Sequence, residues 1–227
     1  MAIERIAHRG ARTELPENTV AAFERAFERG ATGIELDVHS SRDGVIVVHH
    51  DPELADSVSG ALRAIADMTW EEIRANGSRS GVSVPRLTEV LTTVPPGATA
   101  YVEIKGSRIE QLAADVIAAS SARCAVHSFD HATIGRIAAI APSLPRGLLF
   151  ESVESLGSLE SEVKRASARD VWPHYSLIDS TLMGRVRAVG ARVIAWTVNS
   201  RADAARLAAL GIDGICTDDV RILEDLG

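Results

Sequence analysis

Short apolar runs alternate with longer amphipathic ones along the whole chain. The apolar runs cover residues 3–7, 33–38, 100–104, 124–127, 146–150, 170–172, 193–196 and 214–216. They are too short for helices and carry Val and Ile, so each predicts a strand. The stretches between them open on helix-start residues. Asn18 is expected to cap a helix over 19–30 that ends at Gly30, Asp130 one over 131–140, and Ser200 one over 201–210 that ends at Gly211. Thr69 with Glu72, and Ser107 with Glu110, have the spacing of capping boxes.

Strands alternating with helices imply parallel pairing through right-handed crossovers. Eight such units in 227 residues predict an α/β fold, a (β/α)8 TIM barrel. The alternative is an open doubly wound sheet, which puts a glycine-rich phosphate loop after its first strand. Here that position reads His8-Arg9-Gly10-Ala11-Arg12, with neither GxGxxG nor a Walker motif. Residues 45–49 read as a further strand, turned back on the second by Arg42-Asp43-Gly44. Residues 51–86 read as an irregular, lid-like insertion with one short helix near 69–76, inside a single domain spanning 1–227.

Composition narrows the partners. Apolar residues make up 46% and charged ones 24%, an ordinary globular balance, and the net charge is −7. An acidic chain is a poor binder of nucleic-acid backbone, whose affinity comes from basic side chains. A small anionic substrate stays open, because a local cation or metal inverts the field of one pocket. Cys124 and Cys216 lie far apart in apolar runs and read as buried free thiols. No disulfide framework and no apolar run near the ~18 residues of a span point to a cytoplasmic protein without stable membrane insertion.

Chemistry belongs at the C-terminal ends of barrel strands. Side chains two apart on a strand share a face, so Glu35 and Asp37 point together, as do Glu103 and Lys105. Three inward carboxylates at one mouth repel each other unless a cation lies between them. An all-oxygen set favours a hard ion, Mg2+ or Ca2+. The competing reading is a salt-bridge network with arginines or Lys105. Of the seven histidines, His8, His49, His50, His127 and His174 lie at or just after strand ends. His39 is expected to face away as a structural or surface residue, and His131 to be a solvated first-turn residue. His8 with one of the adjacent pair His49 and His50 would supply a general acid and a general base near neutral pH. A metal, two histidines and Lys105 or Arg9 suit phosphoryl transfer, and no GxSxG nucleophile motif is present.

At these residues the chain resembles the glycerophosphodiester phosphodiesterase family. The resemblance runs through His8-Arg9-Gly10, Pro16-Glu17-Asn18-Thr19, Glu35-Leu36-Asp37-Val38, Asp43-Gly44 and Val47-Val48-His49-His50-Asp51. It continues with Pro85-Arg86-Leu87-Thr88-Glu89, Glu103-Ile104-Lys105, Ser128-Phe129, Trp196-Thr197-Val198-Asn199 and 211–218, in family order. It implies a (β/α)8 barrel that hydrolyses glycerophosphodiesters, small-molecule substrates, to glycerol 3-phosphate and an alcohol. It implies Glu35, Asp37 and Glu103 as ligands of a divalent metal and His8 and His50 as the acid–base pair. Arg9 and Lys105 would contact the phosphate, and Phe129 and Trp196 would wall the glycerol or head group. The substrate's own 2-hydroxyl would attack first, giving a cyclic phosphate that water opens.

Two departures stand out: Ala55-Asp56-Ser57 replaces an Arg-Thr-Thr-like run, and Asp219-Val220 replaces a Pro-bearing end of the last motif. With the shortness of the insertion, the first suggests a more open site. The alternatives are a lysophospholipase D-like enzyme using Leu54, Val58, Leu62 and Ile65, a non-catalytic barrel binding a phosphorylated ligand, and a metal-dependent barrel isomerase.

Overall fold

The computed structural model describes residues 2–224. Among them the strands are β1 (Glu4–His8), β2 (Gly33–Ser40), β3 (Ile46–Val48), β4 (Glu53–Ala55), β5 (Leu62–Ala64), β6 (Thr99–Ile104), β7 (Cys124–Ser128), β8 (Arg146–Phe150), β9 (Asp170–Pro173), β10 (Arg192–Ala195) and β11 (Gly214–Thr217). The α-helices are α1 (Val20–Glu28), α2 (Trp70–Ser80), α3 (Leu87–Leu91), α4 (Glu110–Ala118), α5 (His131–Ile140), α6 (Leu159–Ala166), α7 (Ser180–Ala188) and α8 (Arg201–Ala209). None of the described helices is long and apolar enough to cross a membrane.

Eight of the strands run parallel in the order β1-β2-β6-β7-β8-β9-β10-β11. The ring closes because β1 pairs with β2, His8 opposite Glu35, and with β11, Ala7 opposite Thr217. Closure excludes the open doubly wound sheet. β3 lies antiparallel on β2, Val38 opposite Val48, as the turn at Arg42-Asp43-Gly44 predicts.

Alternation along the strands divides the molecule into two layers. Ile34, Leu36, Val38, Val102 and Ile104 pack outward with Phe23 and Ile134 from the helices. Ile6, Ala125, Leu149, Trp172, Ile194 and Cys216 fill the barrel. Each such burial is worth roughly 1.5–3 kcal/mol for a large apolar side chain, which holds the strand ends in fixed positions. Gly147 leaves the space that Trp172 needs: a Cβ there would lie 2.9 Å from the indole. Below this layer a polar plug closes the other end. Asp170, fully buried, accepts Arg169 at 2.6 Å and faces Arg192 Nε at 2.9 Å. Arg192 also meets Glu4 at 3.2 Å, and the Tyr101 hydroxyl donates to Glu4.

Several expectations change. Thr19, not Asn18, caps α1, accepting Ala22 N–H. Ser107 and Glu110 form no capping box: α4 starts at Glu110 with Ile109 as an unbonded cap, because Arg108 turns the chain left-handed at φ 58°. Glu110 instead binds Arg136 at 2.6 Å. Thr69–Glu72, Asp130 and Ser200 cap as expected. The insertion 51–86 is more ordered than its composition suggests. It holds the β4–β5 hairpin, and α2 reaches Ser80. Leu54, Ile65, Met68 and Ile73 give it a small core with Val47 of β3. His131 is not solvated: its Nε2 bonds the Leu149 carbonyl at 2.9 Å and its ring meets Phe150 edge-on.

Candidate active site

β1 ends at His8, at the barrel mouth, and Arg9 follows with a φ of 58°, uncommon for a residue with a side chain. Gly10 follows at φ 83°, where a Cβ would stand 2.8 Å from the Ala22 backbone, so only glycine lets α1 come this close. The turn is pinned by Arg9 N–H to the Glu35 carbonyl at 2.9 Å and Asn18 N–H to the Arg9 carbonyl at 3.0 Å. It folds the Arg9 guanidinium back over β2, with Nε 3.2 Å from Asp37 Oδ2.

Asn18 is also left-handed, at φ 56°, and its Nδ2 donates to the same oxygen, Asp37 Oδ2, at 3.0 Å. Lys105 Nζ stands 3.6 Å from Asp37 Oδ1 and 3.8 Å from Glu103. Asp37, buried beneath the cavity, therefore anchors both cations expected at the phosphate.

Glu35 and Glu103 sit above it, and His127 of β7 closes the group. One ligand atom from each of Glu35, Glu103 and His127 lies within 4.8 Å of the others. The β6–β7 register explains this, since Glu103 is directly opposite His127. Burial, and then the neighbouring Asp37 carboxylate, pushes Glu35 and Glu103 up to about 7. Burial pushes His127 down to about 4, so its imidazole is neutral. Glu35 Oε2 and His127 Nδ1 are buried without a hydrogen-bond partner.

Two histidines face the same space. His8 Nδ1 is 2.7 Å from Asp218 Oδ1, and its Nε2 is 3.9 Å from Glu35 Oε2. Asp218 is fixed in turn by Asn199, whose Nδ2 donates to Oδ2 at 2.6 Å while its Oδ1 accepts the Asp218 N–H at 3.0 Å. Partial burial opposes ionisation of Asp218, but the His8 and Asn199 bonds and Arg12 outweigh it and hold its carboxyl below the usual range.

His50 Nδ1 meets Asp51 Oδ1 at 2.7 Å. Of the adjacent pair, His50 lines the cavity, while His49 bonds the Asp51 carbonyl at 2.9 Å and lines a neighbouring cleft. His39 is structural, as expected, and does not line the cavity. It lies two residues from Asp37, on the same strand face, is buried, and meets the His50 carbonyl at 3.2 Å through Nε2. It holds the segment that carries His50.

The cavity is about 220 Å3. His8, Arg9, Glu35, His50, Glu103 and Lys105 occupy one side of it. Phe129 and Trp196 pack edge-to-face at 5.3 Å on the other, with Trp196 Nε1 donating to the Trp172 carbonyl at 2.9 Å. His174 bonds Ser176 instead of joining the cavity. Sequence reasoning gave no site role to His127, Trp172 or Asp218, and took Asn18 for a helix cap. Only the barrel register could have found His127, and only strand closure places Asp218 beside His8.

A bound cation suits the acidic cup, an anion suits Arg9 and Lys105, and the aromatic wall suits a small alcohol. Comparisons with known proteins identify the family. A model of the Glycerophosphoryl diester phosphodiesterase family matches residues 8–222. The glycerophosphodiester phosphodiesterase of Caldanaerobacter subterraneus subsp. tengcongensis is 34% identical over 97% of this chain and 96% of its own length. That of Bacillus altitudinis is 30% identical, covering 93% of each. Among solved structures, a glycerophosphodiester phosphodiesterase from Thermotoga maritima superposes with a TM-score of 0.86 at 25% identity, over 100% of this chain and 99% of that one. An Oleispira antarctica phosphodiesterase in complex with the product sn-glycerol-3-phosphate shares the fold, with a TM-score of 0.88 at 21% identity over 99% and 96%. By the match of its sequence from His8 onward, the chain belongs to the glycerophosphoryl diester phosphodiesterase family.

Proposed function

We propose that the protein hydrolyses glycerophosphodiesters to glycerol 3-phosphate and an alcohol, using His8 and His50 as its acid–base pair and a divalent cation held at Glu35, Asp37 and Glu103. The observation that carries this reading is the pairing of both cavity histidines with carboxylates through Nδ1, at 2.7 Å each. A carboxylate only accepts, so it fixes the proton on Nδ1 and leaves Nε2 of each neutral ring free to take a proton. Arg9 and Lys105 bind the phosphate oxygens. One histidine takes the proton of the attacking glycerol hydroxyl, the other gives one to the departing alcohol, and the roles reverse when water opens the cyclic ester. Phe129 and Trp196 hold the glycerol and exclude water from one side.

The acidic cup fits a divalent cation. Three carboxylates converge there, two of them with raised proton affinity, and Glu35 Oε2 has no hydrogen-bond partner in the protein. Such an ion would neutralise the phosphoryl charge as it builds. The oxygen ligands alone favour Mg2+ or Ca2+.

The insertion 51–86 follows His50 directly, and the tip of its hairpin favours a second reading. Leu54 and Ile65 are buried under it, but Val58 and Leu62 are 81% and 65% exposed. That pair would let the same machinery approach a lysolipid. The test is release of glycerol 3-phosphate from glycerophosphocholine by purified protein with added divalent ion, beside choline release from lysophosphatidylcholine. No release from any glycerophosphodiester overturns the proposal; release from the lysolipid alone selects the second reading.

A further inference from the structure

We infer that His127 is a direct ligand of the site's divalent ion, which makes the ligand set mixed nitrogen and oxygen and turns its preference toward a borderline transition ion such as Co2+ or Zn2+. The inference rests on the metal-dependent reading above and deepens it.

His127 is 1% exposed, and its ring lies against Trp172 at a centroid distance of 4.4 Å. A histidine kept in a core for packing has its ring nitrogens bonded to the protein. His127 does not: Nδ1 has no partner, and the polar atom facing Nε2 is Glu35 Oε1, 3.7 Å away. That separation is too long for a hydrogen bond and short enough for one cation to serve both atoms. Glu103, opposite His127 on the neighbouring strand, completes a group whose ligand atoms span 4.8 Å.

Asp37 is differently placed. Arg9, Lys105 and Asn18 already surround it, so its oxygens are the most heavily engaged of the three carboxylates. The group with free coordinating capacity is thus Glu35, Glu103 and His127. Imidazole suits Co2+ and Zn2+ far better than Mg2+, Ca2+ or Mn2+, which favour oxygen. The packing around the imidazole is close: a Cβ at Gly147, whose missing side chain admits Trp172, would also lie 3.3 Å from the His127 Cβ.

The test compares chelator-stripped wild type with His127→Gln, both checked by circular dichroism and thermal melting. Titration with Co2+, followed by its visible absorption, and competition by Mn2+, Zn2+, Mg2+ and Ca2+ give the affinities. Wild type should prefer Co2+ or Zn2+ over Mg2+ and Ca2+. His127→Gln should lose at least about 10-fold in affinity for the transition ions, since even outer-shell changes cost ~10–100-fold, with Mg2+ and Ca2+ nearly unchanged. Electron spin-echo measurements on Mn2+-loaded wild type should show coupling to an imidazole nitrogen, absent from the variant, and they stand even if the variant folds poorly.

Equal affinity ratios in the two folded proteins, or no coupled nitrogen in wild type, overturn the inference. Neither outcome depends on turnover. Selective binding without hydrolysis would therefore sink the proposed activity and leave the ligand assignment intact.

Discussion

His8 Nδ1 and Asp218 Oδ1 stand 2.7 Å apart although 210 residues separate them. One leaves the first barrel strand and the other follows the last. Asp218→Asn keeps the shape but can offer an N–H where His8 needs an acceptor, which favours the wrong tautomer. We expect kcat to fall by about 10²–10⁴-fold, the scale of a lost proton-transfer partner. The pH–rate profile should shift while metal affinity stays unchanged. Asp51→Asn should cost less, because Asp51 is 67% exposed and water replaces it. Steady-state kinetics across pH check both.

His8→Ala and His50→Ala should each lose roughly 10²–10⁴-fold in kcat/KM with little change in melting temperature. Glu35→Ala should abolish metal binding as well as turnover. A histidine variant with wild-type turnover would remove that residue from the chemistry.

Metal-free protein should lose stability as pH rises from about 4.5 to about 7. Glu35 and Glu103 bind protons more tightly folded than unfolded, first because of burial and then because of Asp37. Across that window the unfolded chain has released protons that the folded one keeps, so the folded state is progressively disfavoured. A saturating divalent ion should reverse the trend, its stabilisation growing with pH. Urea denaturation at several pH values, with and without metal, measures this.

Asp170→Ala at the closed end should destabilise by about 3 kcal/mol, since it leaves Arg169 and Arg192 without their buried partner. The folded fraction should turn over normally, because the plug lies across the apolar layer from the mouth. Urea midpoints and active-site titration separate the two effects.

The barrel was legible because its signal is repetitive: eight short apolar runs alternating with amphipathic stretches leave few alternatives. Glu35, Asp37 and Glu103 were legible for the same reason, as strand alternation fixes their face. What escaped depends on which strands touch. His127 becomes a partner of Glu103 only through the β6–β7 register. Asn18 has the chemistry of a helix cap, but its left-handed backbone takes the side chain to Asp37 and leaves the cap to Thr19. The insertion's hairpin stayed hidden because its apolar residues are few and gain their core from Val47, outside the segment.

The closing of β1 on β11 has a consequence for how this protein acquires activity. Helices and individual strand pairs can form early in refolding, yet the His8–Asp218 pair cannot exist until the two ends of the chain meet. Recovered turnover after dilution from urea should therefore lag behind the return of the far-ultraviolet signal, making catalysis a clock for the last event of assembly.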